Sequence, residues 1–342
     1  MNGNSLSIVI VTYNSEAYIS LCLDSLAASS RKWEGSVEYL VVDNASSDRT
    51  VAYLARHPYA RLIQNPCNKG FARAANQGIH RAQSEWILVL NPDTTCDPLF
   101  IPTLMSEMPQ YRNHLINPLI LCPDGRVNAA GLAVHCTGVS VCHGLGEKPD
   151  QFRGQTALTI AAPSGAAIAA HRDVWKSLGG FDEDYFLYME DVDLGIRAYA
   201  LGYHCLCLTA AQIVHDYRLR LTPVKFRYLV RNRLLMLQKL YNPALIKRLS
   251  WRLILTNGLI ALYAAAHGWT YWMAFWQARG EIRKMPPVTR RISPLTTILP
   301  QMKGPLPLSA LTTSPLIRRG LGLITQLSQI FDHHPHYSHP TD

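Results

Sequence analysis

Carboxylates stand singly behind apolar runs in the first half of this sequence. Asp43 closes Val37–Asp43 (VEYLVVD) and is followed by Asn44. Asp93 follows Trp86–Leu90 (WILVL) inside Asn91-Pro92-Asp93. There is no G-x-G-x-x-G run and no P-loop, so the dinucleotide-fold and Walker routes to phosphate binding are excluded. Lone carboxylates at strand ends suit phosphate binding through a hard divalent cation, which takes oxygen ligands and can clamp a diphosphate. Asp93 is placed to hold such an ion, Mg2+ or Mn2+, and His215, behind a later apolar run, is placed to complete the site. One histidine beside one carboxylate suits Mn2+ somewhat better. Spacing alone leaves a plainer alternative open, in which Asp93 caps a turn after Pro92 and His215 lines the core.

A second acidic cluster, Glu190, Asp191 and Asp193, lies in GGFDEDYFLYMEDVDLGIRA, Gly179–Ala198. A general base must reach its proton and stay ionised at working pH. The periodicity of Leu194, Arg197, Ala198 and Leu201 starts a helix near Asp191, whose N-terminal dipole favours a charged carboxylate. Glu190 beside it pushes the other way. Asp193 stands four residues before Arg197 and reads as half of a surface ion pair of little worth. Three acids at a helix start are also what plain capping produces.

The elements that must position these residues follow from periodicity. Ser7–Thr12, Val37–Asp43, Ala60–Gln64 and Trp86–Leu90 read as strands, with helices between them, near Tyr18–Leu26, from Thr50 and over Phe71–Ala82. Strands alternating with helices give an α/β, doubly wound, mostly parallel sheet, and ligands of such sheets sit beyond the carboxyl ends of the strands. Thr12-Tyr13-Asn14, Asp43-Asn44 and Asn91-Pro92-Asp93 therefore converge on one cleft. Lys69 and Arg73 flank Gly70 within reach of a diphosphate, and Gly165 lets the backbone approach a sugar; solvated side chains and an ordinary turn are the alternatives. Pro109–Gly154 reads as irregular hairpins. Ala166–Ala170 and Tyr203–Leu208 read as strands, the latter followed by Ile213-Val214-His215-Asp216.

The ordered set IVIVTYNS, VVDNASSDRT, NKGFARAANQG, LVLNPDT, GGFDEDYFLYMEDVDLGIRA and VHDYR resembles the family 2 glycosyltransferases, and among them the bacterial rhamnosyltransferase-like branch. The resemblance covers roughly residues 6–217 and continues loosely to about 240. It implies a GT-A fold and an inverting displacement on a metal-bound nucleotide-diphospho-sugar, with dTDP-rhamnose the favoured donor. UDP-hexose or galactofuranose transfer, and a non-catalytic sugar-nucleotide scaffold, are the alternatives. By the same resemblance Asp43 binds the nucleoside, with Asn44 next to it, and Thr12, Tyr13 and Asn14 wall the base. Asp93 matches the metal-binding Asp of the family's DxD motif, Asn91 replaces its first Asp, and His215 is similar to a histidine that joins the metal. Asp191 matches the catalytic base, with Glu190 its partner in the acidic pair.

Length and composition are consistent with such an enzyme. The 342 residues are 48% apolar and 17% charged, enough to bury a sizeable core. Eight scattered cysteines without a CxxC pair fit reduced thiols, and the first residues read as a strand, not a signal peptide. The net charge of +9 is uneven: residues 1–217 hold 15 Lys/Arg and 21 Asp/Glu, whereas 218–342 hold 18 and three. A catalytic domain over 1–217 is thus followed by a basic helical extension over 218–285 and a Pro/Ser/Thr/His-rich tail over 286–342. Ten basic residues between Arg218 and Arg252 meet no acid, and 253–278 carry no formal charge. That combination reads as a membrane-surface element, with two helices broken near His267-Gly268; a single span is the alternative. The expected partners are a nucleotide-diphospho-sugar, a lipid-linked or polysaccharide acceptor, an anionic membrane surface at the cytoplasmic face of the plasma membrane, and a second copy of the chain. No RNA-binding motif or aromatic platform points to nucleic acid.

Overall fold

The computed structural model describes residues 5–152, 154–217, 221–286 and 302. The tail read over 286–342 lies outside the described residues, apart from Pro286 and Met302.

The β-branched runs form the expected strands β1 (Ser5–Thr12), β2 (Ser36–Asp43), β3 (Ala60–Gln64) and β4 (Trp86–Leu90). They pair in parallel in the order β4-β1-β2-β3. Helices α1 (Ile19–Ser30), α2 (Thr50–Leu54) and α3 (Phe71–Arg81) connect them. Alternate side chains of β1 enter two cores, Ile8 and Ile10 on one face and Val9 and Val11 on the other. A strand covered on both faces reads as an unbroken apolar run, which is why the pattern was clear. Each such side chain contributes about 1.5–3 kcal/mol by leaving water.

The stretch read as irregular hairpins is partly a correction. It contains β6 (His114–Leu121), an inner strand of the main sheet, as well as the short β7 (Val127–Ala129), β8 (Leu132–Val134) and β9 (Ser140–Cys142). Pro118 sits inside β6, and a proline in a run argues against a strand. Here Asn117 compensates: its side chain donates to Ala167 O and accepts from Ser164 N–H.

The sheet continues through β5 (Thr94–Cys96), β10 (Ala157–Thr159), β11 (Ala167–His171) and β12 (His204–His215), in the order β10-β12-β6-β11-β4-β1-β2-β3 with β5 paired to β12. The two runs read as separate, Tyr203–Leu208 and Ile213–His215, are one strand, β12, with an irregularity between Leu208 and Gln212. Helices α4 (Phe100–Glu107), α5 (Arg172–Leu178) and α6 (Glu190–Ala200) complete this part.

Beyond residue 221 lie α7 (Pro223–Leu240), α8 (Pro243–Arg248), α9 (Ser250–Ala266) and α10 (Trp269–Lys284), with α9 and α10 broken at His267-Gly268 as expected. No helix among the described residues is long and apolar enough to cross a membrane. The basic charge of α7 is largely engaged internally. Arg233 and Lys239 are 3% and 2% exposed, Lys239 pairs with Asp182 and Asp184, and Arg227 and Arg231 pair with Glu281.

Candidate active site

A cleft of about 360 Å³ opens where the carboxyl ends of β1, β2 and β4 meet the segment before α6. Tyr13, Asn14, Asn44, Gly70, Asn91 and Asp93 all line it, so the three polar strand ends do converge.

Asp43 ends β2 almost fully buried, 1% exposed. Its carboxylate accepts from the Thr12 hydroxyl at 2.9 Å and from the Ser46 N–H and hydroxyl at 3.0 and 2.5 Å. Ser46 in turn accepts from the Asn14 N–H. Thr12 and Asp43 therefore build the loop that presents Tyr13 and Asn14, and both Asp43 oxygens are engaged beneath the cleft. Asn44 ties this floor to the next loop by donating to Gly70 O and accepting from the Lys69 and Asn65 N–H groups.

Gly70 has φ 82°, and a Cβ there would sit 2.5 Å from Phe186 O. The Phe71 N–H donates to that same oxygen at 2.6 Å. The need for glycine here is close packing against residue 186. Neither Lys69 nor Arg73 is among the residues lining the cleft, and the same holds of Thr12, Asp43, Gly165, Glu190, Asp191 and His215. Arg73 pairs with Glu183 at 3.3 Å, and Lys69 supplies its backbone N–H. Asn68 takes the place at the cleft wall.

Asp93 and His215 meet, with Oδ1 and Nε2 3.1 Å apart. The His215 ring stacks on Tyr217 at 5.3 Å, and its Nδ1 is buried without a partner. An oxygen and a nitrogen donor in contact at the rim of a cleft fit one divalent ion. Among the described residues no group of three or more His, Cys, Asp or Glu could hold a metal, so the remaining ligands would come from a bound diphosphate and water.

The acidic pair sits at the start of α6. Asp191 Oδ2 accepts the Gly165 N–H at 2.8 Å, and its Oδ1 accepts the Val192 N–H at 2.8 Å. Gly165 also has no room to spare, since a Cβ would lie 3.1 Å from that carboxylate. The next residue, Ala166, accepts the Asn91 N–H, which links Asp191 to the Asn91-Pro92-Asp93 turn. Burial pushes the Glu190 carboxyl up to about 8, with the charge of Asp191 adding to the effect. Burial raises Asp191 as well, but the Gly165 and Val192 N–H groups favour its charged form. Asp193 is a correction: it and Arg197 are buried, bonded at 2.6 Å, and Arg197 also donates to Leu178 O and Gly180 O.

The approach to the pair is conformationally unusual. Phe186, Tyr188 and Met189 have φ of 59°, 69° and 71°, a region that side-chain-bearing residues enter only when held there. Asn232 of α7 holds them. Fully buried, its Nδ2 reaches the carbonyls of Tyr185, Leu187 and Tyr188 at 2.9, 2.8 and 2.7 Å. Phe186 and Tyr188 line the cleft. Sequence reasoning missed Asn232, whose one signal was a short polar residue between Arg231 and Arg233.

The chain is similar to known proteins. The sequence model of Glycosyl transferase family 2 matches residues 7–137, and that of Glycosyl transferase family group 2 matches residues 86–279. The chain is 29% identical over 234 residues to N-acetylglucosaminyl-diphospho-decaprenol L-rhamnosyltransferase of Mycobacterium tuberculosis, covering 61% of this chain and 75% of that one. It is 26% identical over 281 residues to the dTDP-rhamnosyl transferase RfbF of Shigella flexneri, covering 76% and 90%. The structure of GalNAc-T7 with UDP, GalNAc and Mn2+ superposes with a TM-score of 0.59 at 15% identity, over 98% of this chain and 58% of that one. That likeness shows the fold, and the expected GT-A architecture is present.

Proposed function

Because the chain belongs to the family 2 glycosyl transferases, we propose that it moves L-rhamnose from dTDP-rhamnose, with inversion, to a hydroxyl of a lipid-linked or polysaccharide acceptor in cell-envelope glycan synthesis. Both rhamnosyl-transferring relatives support the sugar.

The observation that carries the mechanism is the Asp191 carboxylate fixed by the Gly165 and Val192 N–H groups and linked through Gly165 and Ala166 to the Asp93 turn. Asp191 takes the proton of the acceptor hydroxyl while that oxygen bonds to the anomeric carbon and the bond to the diphosphate oxygen breaks. One displacement inverts the centre and needs no enzymatic nucleophile. General-base assistance is worth about 10²–10⁴-fold, and holding both substrates in one cleft contributes up to about 7–11 kcal/mol. Tyr13 and Asn14 wall the nucleoside on the loop that Thr12 and Asp43 support, and Asn44 orders the Gly70 side. A divalent ion held by Asp93 and His215 would neutralise charge on the departing diphosphate.

The acceptor is presented at an anionic membrane surface, against the outer face of α9 and α10. Support comes from that face: Ile254, Leu262 and Trp269 are 72%, 67% and 71% exposed, and Trp251, Met273 and Trp276 are exposed alongside them. Apolar patches of this kind mark interaction sites, and tryptophan favours the bilayer interface.

The test is turnover of dTDP-rhamnose against UDP- and GDP-sugars, with the product anomer read by NMR. Inverted rhamnoside supports the reading; turnover of UDP-sugars alone overturns the donor. Sedimentation with anionic vesicles, weakened by salt, tests the membrane surface.

A further inference from the structure

Lys225 lies in the first turn of α7, where its backbone N–H is capped by Thr222. Its ammonium donates to the Tyr217 hydroxyl. It lies 4.6 Å from the centre of the Tyr217 ring and 5.1 Å from that of Tyr188. Both rings belong to the site, since Tyr188 lines the cleft with Asp93 and Tyr217 stacks on His215.

Among the described residues no carboxylate answers the charge of Lys225. Arg227, Arg231 and Lys239 of the same helix each face a carboxylate, whereas Lys225 has none within ion-pair distance among the described residues. It is half-buried, and desolvation holds its pKa below the ordinary lysine range. Two aromatic faces offset part of the cost of drying an ammonium, but a cation kept partly out of water without a counter-charge is costly. A bound anion would remove that cost, and charge-assisted hydrogen bonds to phosphate oxygens are among the stronger ones.

We propose that Lys225 is a substrate-binding residue whose ammonium hydrogen-bonds a phosphate oxygen at the mouth of the cleft. The proposal rests on reading the cleft as a nucleotide-diphospho-sugar site. A phosphate ester arrives from two sources, the donor diphosphate or a lipid-linked acceptor, and both present the same anionic oxygens.

The full chain with Lys225→Met or Lys225→Arg separates them. Calorimetric titration with dTDP, UDP and the matching nucleosides in Mn2+ reads the donor arm, and the KM for a polyprenyl-diphospho-sugar reads the acceptor arm. Loss of one charged hydrogen bond should weaken binding about 10- to 100-fold. If the phosphate is the donor's, Lys225→Met weakens diphosphate binding by that factor, leaves nucleoside binding alone, and Lys225→Arg restores most of it. If it is the acceptor's, diphosphate binding is unchanged and acceptor KM rises by that factor. Unaltered diphosphate binding together with unaltered acceptor KM overturns the role of Lys225. A wild-type chain that binds neither nucleotide overturns the transferase reading itself.

Discussion

His215 Nε2 lies 3.1 Å from Asp93 Oδ1 although 122 residues separate them in sequence. Strand pairing brings them together. Thr94 of β5 is in register with His215 of β12, and the Asp216 N–H donates to Asp93 O. The β5–β12 pairing thus fixes the spacing between the turn that carries Asp93 and the strand that carries His215.

Chelation should therefore remove function without unfolding the chain. Excess EDTA, Asp93→Ala and His215→Ala are each expected to lower turnover by at least about 100-fold, the several kcal/mol that a Lewis acid supplies. Circular dichroism should remain unchanged. Full turnover in EDTA would remove the metal from the account.

Glu190 makes stability depend on pH. Its carboxyl shifts from 4.5 to about 8 on folding. The stability linked to it is complete below about pH 4.5 and is lost as pH rises through about 8, because unfolding then releases its proton. The melting temperature should fall between pH 5 and 8, and Glu190→Gln should flatten that slope. Parallel slopes for the two proteins would contradict the burial of a neutral carboxyl.

Asn232→Ala strips hydrogen bonds from three carbonyls of the segment that precedes the acidic pair. A loss of at least about 2 kcal/mol in urea unfolding is expected, with faster hydrogen exchange across residues 184–193. It follows that a truncation ending near Tyr217 should not keep an ordered cleft, since α7 leaves with it. Unchanged exchange in that segment would show that α7 is not what holds it.

Much of the fold was legible because β1 to β4 are apolar runs buried on both faces, bounded by polar strand ends. Those ends placed Asp93 in the cleft and, through the later VHD run, His215 beside Asp93, whereas Asp43, expected at the nucleoside, is buried beneath the cleft with both oxygens engaged. What stayed hidden depended on burial or on contacts distant in sequence. Pro118 disguised β6, because nothing local announces that Asn117 will compensate from the side. The Asp193–Arg197 spacing is that of any surface pair, and only the packing of Leu178 and Gly180 against it makes it internal. The charge of α7 read as part of a membrane-surface element, yet Arg233 and Lys239 point inward. Asn232 acts at residues 44 to 47 positions upstream, beyond any local pattern.

Asp191 is proposed above as the base of a single displacement. Asp191→Asn nearly preserves shape and keeps an oxygen for one of the two N–H groups that Asp191 accepts from, but cannot take a proton. Steady-state turnover of this variant, with donor affinity and melting temperature measured alongside, is the most direct test. A fall in kcat of at least about 10²-fold is expected, with donor affinity and melting temperature close to wild type. An unchanged kcat with only KM raised would contradict it.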